Sequence, residues 1–188
     1  MLLAEMKTCG DRALRVSWTR VAGADGYEVT FVKEDCSFSK AEVVSVRHGN
    51  SWKFTDLKKN TAYKAYVRAW KNGKNGRSYI GKRSPAVCAI TGDVRKDKTN
   101  ADSVRVNASQ LKLNVGERAK VEASVKGVKC GKNVMRCEHA LLRWFSSDTQ
   151  VATVNASGEI RAVGAGGCTV YAMAANGVRA AVKVKVKK

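Results

Sequence analysis

The sequence has little proline, little histidine and few acidic residues. It contains 1 proline and 2 histidines in 188 residues, and 35 lysine and arginine residues stand against 16 aspartate and glutamate residues. His48 and His139 lie far apart, and neither has a nucleophile and an orienting acid suggested beside it. The scattered acids show no paired carboxylates of the kind that glycoside hydrolysis requires. No glycine-rich phosphate loop leads from a strand into a helix. We therefore expect a protein that is not an enzyme and that needs no cofactor.

Long hydrophobic runs are also absent. No apolar stretch approaches the roughly 20 residues of a membrane-spanning helix, and the segment Met1 to Lys7 is too short for a signal peptide and carries an acidic residue. We expect no membrane insertion. The abrupt start of the chain at Leu2 suggests a fragment excised from a longer protein, so the missing signal says little about localisation.

Positive charge is abundant and evenly spread. The formal charge is +19, with 17 basic against 9 acidic residues in positions 1–93 and 18 against 7 in positions 94–188. A nucleic-acid binder usually concentrates its basic residues beside a recognition motif, so no specific nucleic acid is expected. The charge favours a soluble basic surface, with attraction to an anionic polymer such as cell-wall teichoic acid or an acidic glycan as the alternative.

Alternation of apolar and polar residues predicts β-strands along the whole chain. Leu14, Val16 and Trp18 follow this period of two, and four Asn-Gly or Asp-Gly steps supply tight turns. The stretch from Leu57 to Trp70 is the longest such pattern and predicts one central strand. No segment shows a sustained helical period. A chain of this length accommodates two sandwich domains of roughly 90 to 100 residues each.

The first half of the chain contains three motifs: Leu14, Val16 and Trp18 in LRVSW, Tyr27 in GADGYEV, and Leu57, Thr61, Tyr63, Val67 and Ala69 in LKKNTAYKAYVRA. On these motifs it resembles a fibronectin type III domain. Lys59 stands where the family usually has proline. The resemblance covers residues 1–92 and implies that Trp18, Tyr27 and Tyr63 are structural, with the Tyr63 hydroxyl bonded to the backbone of the preceding turn. The fibronectin-like domain of this chain is similar to a variant of the family that is common in surface proteins of Gram-positive anaerobes.

The second half contains, at residues 144–172, the stretch WFSSDTQVATVNASGEIRAVGAGGCTVYA. On this stretch it resembles a bacterial Ig-like domain of group 2, which implies that Trp144 is structural. The resemblance places the second domain at residues 104–188, and the polar residues 93–103 are expected to be a linker. The predicted fold is therefore all-β, with two tandem Ig-like or fibronectin-like β-sandwiches joined by a short polar linker.

The two resemblances imply an extracellular module of a bacterial protein, either at the cell surface or secreted. The expected function is adhesion or interaction with a protein or a glycan, and an anionic cell-wall polymer is one candidate partner. The alternative is a pair of passive spacer modules appended to a secreted or surface carbohydrate-active enzyme. We expect the chain itself to be a monomer.

One candidate ligand patch follows from the alternation in the central strand. Tyr66, Arg68 and Trp70 share its outer face, and Tyr79 lies on the next strand. The alternative interpretation is ordinary sheet packing, in which arginine and lysine stems cover the rings.

Six cysteines leave the disulfide pattern open. Cys88 and Cys168 lie in alternating strands and are expected to be free, buried thiols. Cys130 and Cys137 flank a short loop and are the candidate disulfide. Zinc binding by Cys130, Cys137 and His139 is a weaker alternative, because structural zinc takes four ligands and a fourth is missing.

Overall fold

The computed structural model describes residues 1–188, apart from the side chain of Phe38. Both halves are built from β-strands, and the part of the chain described contains two short 3-10 turns, at Phe38–Lys40 and Thr91–Asp93, but no α-helix. No helix in this part of the chain is long and apolar enough to cross a bilayer. The all-β fold class predicted from the sequence is confirmed.

Two facing sheets form the first domain. Its strands are β1 (Ala4–Thr8), β2 (Leu14–Trp18), β3 (Gly26–Lys33), β4 (Glu42–Val46), β5 (Ser51–Phe54), β6 (Ala62–Gly73), β7 (Gly76–Ile80) and β8 (Val87–Ile90). One sheet has the order β1-β2-β5. The other has the order β4-β3-β6-β7, and β8 also pairs with the first part of β6.

The inner faces of these sheets bury the alternating apolar residues that the sequence predicts. Val29 and Val67 are fully buried, and the rings of Phe31 and Phe54 stack across the sandwich with centroids 3.9 Å apart. The Tyr63 hydroxyl accepts a hydrogen bond of 3.0 Å from the backbone N–H of Lys58, as the corner motif requires. Each fully buried valine or phenylalanine contributes about 1.5–3 kcal/mol of transfer free energy.

The central strand differs from the prediction at its start. β6 begins at Ala62 and not at Leu57, because the chain turns through Asn60, which has a φ of 49°. A left-handed residue cannot continue a strand, and asparagine tolerates this conformation better than most residues. The last strand of the first domain, β8, spans only Val87–Ile90.

The second domain contains most of the remaining strands. In chain order the strands after β8 are β9 (Val94–Arg95), β10 (Lys98–Thr99), β11 (Ala101–Val106), β12 (Gln110–Asn114), β13 (Arg118–Lys120), β14 (Ala123–Gly127), β15 (Asn133–Val134), β16 (Leu142–Ser146), β17 (Ala152–Val154), β18 (Glu159–Ala162), β19 (Gly166–Ala174) and β20 (Arg179–Lys187). A sheet of order β12-β20-β19-β16 lies opposite a sheet of order β13-β18-β17, and β11 pairs with β14.

The core of the second domain lies between these sheets. Val170, Val182 and Val184 point inward from β19 and β20, while the lysines between the β20 valines are exposed. Trp144 packs against this core, and a Cβ added at Gly158 would lie 2.7 Å from its ring. Gly158 has a φ of 82°, so glycine is needed there both for the turn and for the close approach of the indole.

Residues 93–103, expected to be a linker, are built into the contact between the domains. They include β9, β10 and the start of β11, and β10 pairs in parallel with β15 from the second domain. Thr99 and Asn100 are buried, which an exposed linker does not permit. Lys96, Asp97 and Lys98 of the same segment are exposed, so its polar residues are of two kinds, which composition alone does not distinguish.

Asn100 is the centre of a group of hydrogen bonds. Its Oδ1 accepts from the backbone N–H of Ile90 at 2.8 Å, and its Nδ2 donates to the Ile90 carbonyl and to the Asp93 carboxylate, each at 2.8 Å. The Thr8 hydroxyl donates to the same Asp93 oxygen at 2.7 Å. These bonds connect β1, β8 and the start of the second domain, so Asn100 fastens three segments together.

The disulfide prediction was wrong in its pairing. Cys137 is bonded to Cys88 of the first domain, whereas Cys130 is free and exposed, and Cys88 is therefore not the free thiol that was expected. The Cys88 and Cys137 Cα atoms are 5.7 Å apart, within the usual bridging range. Cys168 is free and buried, as predicted, and burial raises the pKa of its thiol.

The disulfide lies in an apolar cluster shared by both domains. The cluster is formed by Ala62, Cys88, Ile90, Met135, Cys137 and Ala175. Beside it, the backbone N–H of Cys88 donates to the Ala175 carbonyl at 2.8 Å, and that of Met6 donates to the Asn176 carbonyl at 2.7 Å. A Cβ at Gly177 would overlap the backbone of Ala4, so the β19-β20 turn packs directly against β1. The two sandwiches are thus joined by a packed contact as well as by the chain.

Candidate functional site

The outer face of the β4-β3-β6-β7 sheet carries the predicted patch. Tyr66, Arg68 and Trp70 alternate along β6, and Tyr79 pairs directly with Trp70 across β6 and β7. The structure therefore brings all four predicted residues onto one face. It also adds arginines from β7 and from the segment that follows it, which the sequence analysis did not single out.

Three arginines lie over the three aromatic rings of this face. The guanidinium carbon of Arg68 is 3.7 Å from the centroid of Tyr79, that of Arg77 is 3.9 Å from Trp70, and that of Arg83 is 4.6 Å from Tyr66. All three distances lie within the range of a cation–π contact. We call Tyr66, Arg68, Arg77, Tyr79 and Arg83 the aromatic face.

Trp70 does not belong to the exposed surface, which corrects the predicted patch. It is 1% exposed, because Arg77 covers one part of the indole and Gly26 of the neighbouring strand allows β3 to approach it closely. A Cβ at Gly26 would overlap the Trp70 ring. Trp70 is therefore part of the packing of the sheet, and its ring lies beneath the guanidinium group of Arg77.

Tyr79 is the exposed aromatic residue of the face. It is 44% exposed, and its hydroxyl donates a hydrogen bond of 3.1 Å to Glu28 Oε2 on β3. This hydrogen bond and the negative charge of Glu28 raise the pKa of Tyr79, while Arg68 and Arg77 oppose the shift. The bond holds Glu28 against the tyrosine, so the acid is already engaged at the edge of the arginine cluster.

A groove between the domains continues the aromatic face. Its volume is about 710 Å³, and its walls include Tyr66, Arg68 and Arg83 from the first domain and Glu138 and Phe145 from the second. The predicted patch alone did not reveal this groove, because its second wall comes from residues more than fifty positions further along the chain. The groove is of the size that small ligands or single polymer segments occupy.

Arg143 holds the second wall of the groove in place. Its Nη2 donates to the Ala86 carbonyl of the first domain at 2.6 Å, and its Nη1 donates to Glu138 Oε2 at 3.2 Å. Burial lowers the pKa of Arg143, and the Glu138 carboxylate acts in the opposite direction. Glu138, the acidic residue in the groove, is thereby paired with the positive charge of Arg143.

The zinc alternative fails on the chemistry of its ligands. The Cys137 sulfur is part of the disulfide, and a disulfide sulfur is not the thiolate that zinc binds. In the described residues no group of three or more histidine, cysteine or acidic side chains is arranged to hold a metal ion.

The fold places the chain among the Ig-like β-sandwich modules. Two family models match it in succession. Residues 4–81 match the fibronectin type III domain, and residues 100–186 match the bacterial Ig-like domain (group 2). The chain is thus a fibronectin type III domain followed by a bacterial Ig-like domain of group 2, in the predicted order. Domains of these two types usually have no catalytic activity.

Three solved structures are similar to part of this chain at low identity. The FN1–FN3 domains of chicken CNTN1 are 25% identical with a TM-score of 0.40, over 47% of this chain and 29% of that one. The fn3 domain of human contactin 1 is 19% identical with a TM-score of 0.38, over 47% of this chain and 72% of that one. The fn3 domain of the human collagen alpha-1(XX) chain is 26% identical with a TM-score of 0.35, over 46% and 76%. No curated protein matches the chain.

Proposed function

We propose that this chain is a non-catalytic module of a bacterial cell-surface protein and that it binds a glycan or a protein through its aromatic face. The proposal is supported most directly by the three arginines stacked on the rings of one open sheet face. Fibronectin type III and bacterial Ig-like domains are of extracellular type, which agrees with a role outside the cell.

The arginines of this face are held in place without being neutralised. In the described part of the chain, Arg68, Arg77 and Arg83 form no salt bridge, and Arg77 Nη1 donates to the Ser45 hydroxyl at 3.2 Å. A guanidinium group offers up to five N–H donors, and two of them can contact the same carboxylate or phosphate. Because the stacking already restricts the side chains, binding loses less conformational entropy than it would with free arginines.

Binding to purified bacterial cell wall tests the proposal. The whole chain is applied to immobilised wall at low and at raised ionic strength, and the same protein is applied to wall stripped of its anionic polymers. We expect retention at low salt and weaker retention at raised salt, because solvent-exposed charges are screened within roughly 10 Å at 0.1 M salt. A protein partner would be indicated by retention that survives stripping of the polymers. No retention on either material at any salt would contradict the proposal.

A spacer function is the second candidate, and the junction between the domains favours it. The disulfide and the Asn100 hydrogen bonds fix one domain against the other, as a spacer of defined length requires. A spacer with no ligand predicts a constant interdomain orientation in small-angle scattering together with no retention on cell wall. The wall experiment therefore separates the two functions.

A further inference from the structure

The second domain has its own basic face, on the outer side of the β12-β20-β19-β16 sheet. Lys183, Lys185 and Lys187 alternate along β20 and are exposed, and Lys112 on β12 lies directly opposite Lys185. We call these four residues the lysine face. The positions of β12, β16, β19 and β20 that share this side are otherwise neutral or basic. The Glu117 carboxylate, beyond the end of β12, accepts a hydrogen bond of 3.1 Å from Asn114 Nδ2 and forms no salt bridge with the four lysines in the described part of the chain.

The arrangement of these lysines is unfavourable within the protein itself. Like charges directly opposite each other on paired strands repel and destabilise the pairing. Lys112 and Lys185 form such a pair in the parallel β12-β20 ladder. A bound chain of negative charges would offset this repulsion, so the lysine face should bind such a chain favourably.

Two aromatic residues connect the lysine face to the interdomain groove. Phe145 on β16 and Tyr171 on β19 are cross-strand partners on the same side of the sheet as the lysines. Phe145 also lines the groove that Arg68 and Arg83 line from the first domain. Phe145 and Tyr171 therefore lie between the groove, which Phe145 lines, and the lysines further along β20, which do not line it.

We propose that a linear anionic glycan of the bacterial cell wall binds along this surface, from the aromatic face through the interdomain groove to the lysine face. This inference rests on the proposed function and assigns its partner. Arginine and lysine bind the carboxylate or phosphate groups of the glycan. In the described part of the chain no guanidinium stacks on Phe145 or Tyr171, so these half-buried rings offer apolar surface to sugar rings between the two groups of charges.

The covered rings of the first domain disfavour a neutral glycan as the partner. A neutral sugar would need open aromatic faces there, but guanidinium groups lie over the rings of Tyr66 and Tyr79. That domain presents positive charge over its rings, and the complement of this charge is a negatively charged partner. A chain long enough to reach both faces gains affinity because its second contact is intramolecular.

The disulfide holds the two halves of the surface in a fixed position relative to each other. Cys137 precedes Glu138, which lines the groove, and Cys88 follows Ala86, whose carbonyl accepts from Arg143. The covalent bond thus lies beside both walls of the groove. A fixed geometry allows one extended ligand to engage both domains without first ordering them.

Polygalacturonate binding measured by calorimetry on the whole chain tests the assignment. The probes are oligomers of about four and about twenty residues, and we expect the longer one to bind the native protein at least ~10-fold more tightly per chain. Substituting Lys183→Ala together with Lys185→Ala should remove that advantage and leave the short oligomer nearly unaffected. Substituting Arg118→Ala together with Arg161→Ala, exposed on the opposite sheet, removes the same charge and should change neither.

Two further probes bear on the chemistry of the partner. Dextran, a neutral glycan, should not bind, and poly-L-glutamate of matched length should bind more weakly than polygalacturonate because it has no sugar rings. Equal affinity for the two polyanions would overturn the glycan assignment. Equal affinity for the short and the long oligomer would overturn the two-domain surface but leave the proposed function intact. No binding of any probe by a protein that is retained on cell wall would overturn this inference alone.

Discussion

Loss of the Cys88–Cys137 disulfide is the perturbation with the largest expected effect on stability. The bond closes a loop with a sequence separation of 49 that spans β8 to the segment after β15. The chain-entropy relation gives a stabilisation of about 4 kcal/mol for a loop of this size. Both cysteines are buried, so alanine is the appropriate replacement, because serine would bury a hydroxyl.

Equilibrium unfolding in urea measures this loss. The variant with Cys88→Ala and Cys137→Ala should lose about 4 kcal/mol, and Cys130→Ala should match the native protein because Cys130 is exposed and free. Transitions followed by tryptophan fluorescence and by far-ultraviolet circular dichroism should separate in the double variant if the domains unfold independently without the bond. Unchanged midpoints in the double variant, or reaction of all six cysteines with a thiol reagent in the unreduced, denatured protein, would refute the reasoning.

Three further predictions concern the packing around the site. Substituting Gly26→Ala should cost about 1–3 kcal/mol in urea unfolding, because the new methyl group overlaps the Trp70 ring, and an unaltered midpoint would show that the indole moves freely. Substituting Asn100→Ala should cost about 3 kcal/mol, since it leaves the buried N–H and carbonyl of Ile90 without their partner, and a loss below 1 kcal/mol, measured in the same way, would contradict that role. Ultraviolet titration should give Tyr79 a pKa above the ordinary tyrosine value, and Glu28→Gln should lower it, because the folded protein holds the phenolic proton against the carboxylate. This raised pKa means that the Tyr79–Glu28 contribution to stability is complete below the ordinary tyrosine pKa and is lost as the pH rises through the folded-state value.

The sequence was sufficient for the architecture because the relevant signals are local. Alternation along Leu14–Trp18 and β20 follows directly from the two-residue period of a strand that is buried on one side. The corner tyrosine Tyr63 is also a local feature, since its partner Lys58 is five residues away. Features that depend on residues so close together in the chain can be predicted from a single sequence.

The aromatic face could be predicted only in part. Period-two alternation placed Tyr66, Arg68 and Trp70 on one side of β6, but it says nothing about what covers each ring. Trp70 is buried because Arg77 and Gly26 come from the two neighbouring strands. The register of the β6-β7 hairpin, in which Trp70 pairs with Tyr79, was the signal that could have drawn attention to Arg77.

The junction between the domains could not be predicted from the sequence. Cys137 and Cys88 come together only when both domains are folded and docked, and nothing in the spacing of the six cysteines favours that pair. Residues 93–103 are polar whether they are exposed or buried with satisfied hydrogen bonds, and Asn100 is of the second kind. Long-range contacts decide both features, and composition does not encode them.

A comparison of two variants with equal charge tests the central claim most directly, namely that the aromatic face binds the partner and that total charge does not suffice. One variant carries Arg68→Ala and Arg83→Ala, and the other carries Arg15→Ala and Lys53→Ala, which are exposed and paired on the opposite sheet of the same domain. Both lose two positive charges. On immobilised cell wall at one low ionic strength, we predict that the first variant elutes well before the native protein and that the second elutes with it. Identical elution of the two variants would contradict the account.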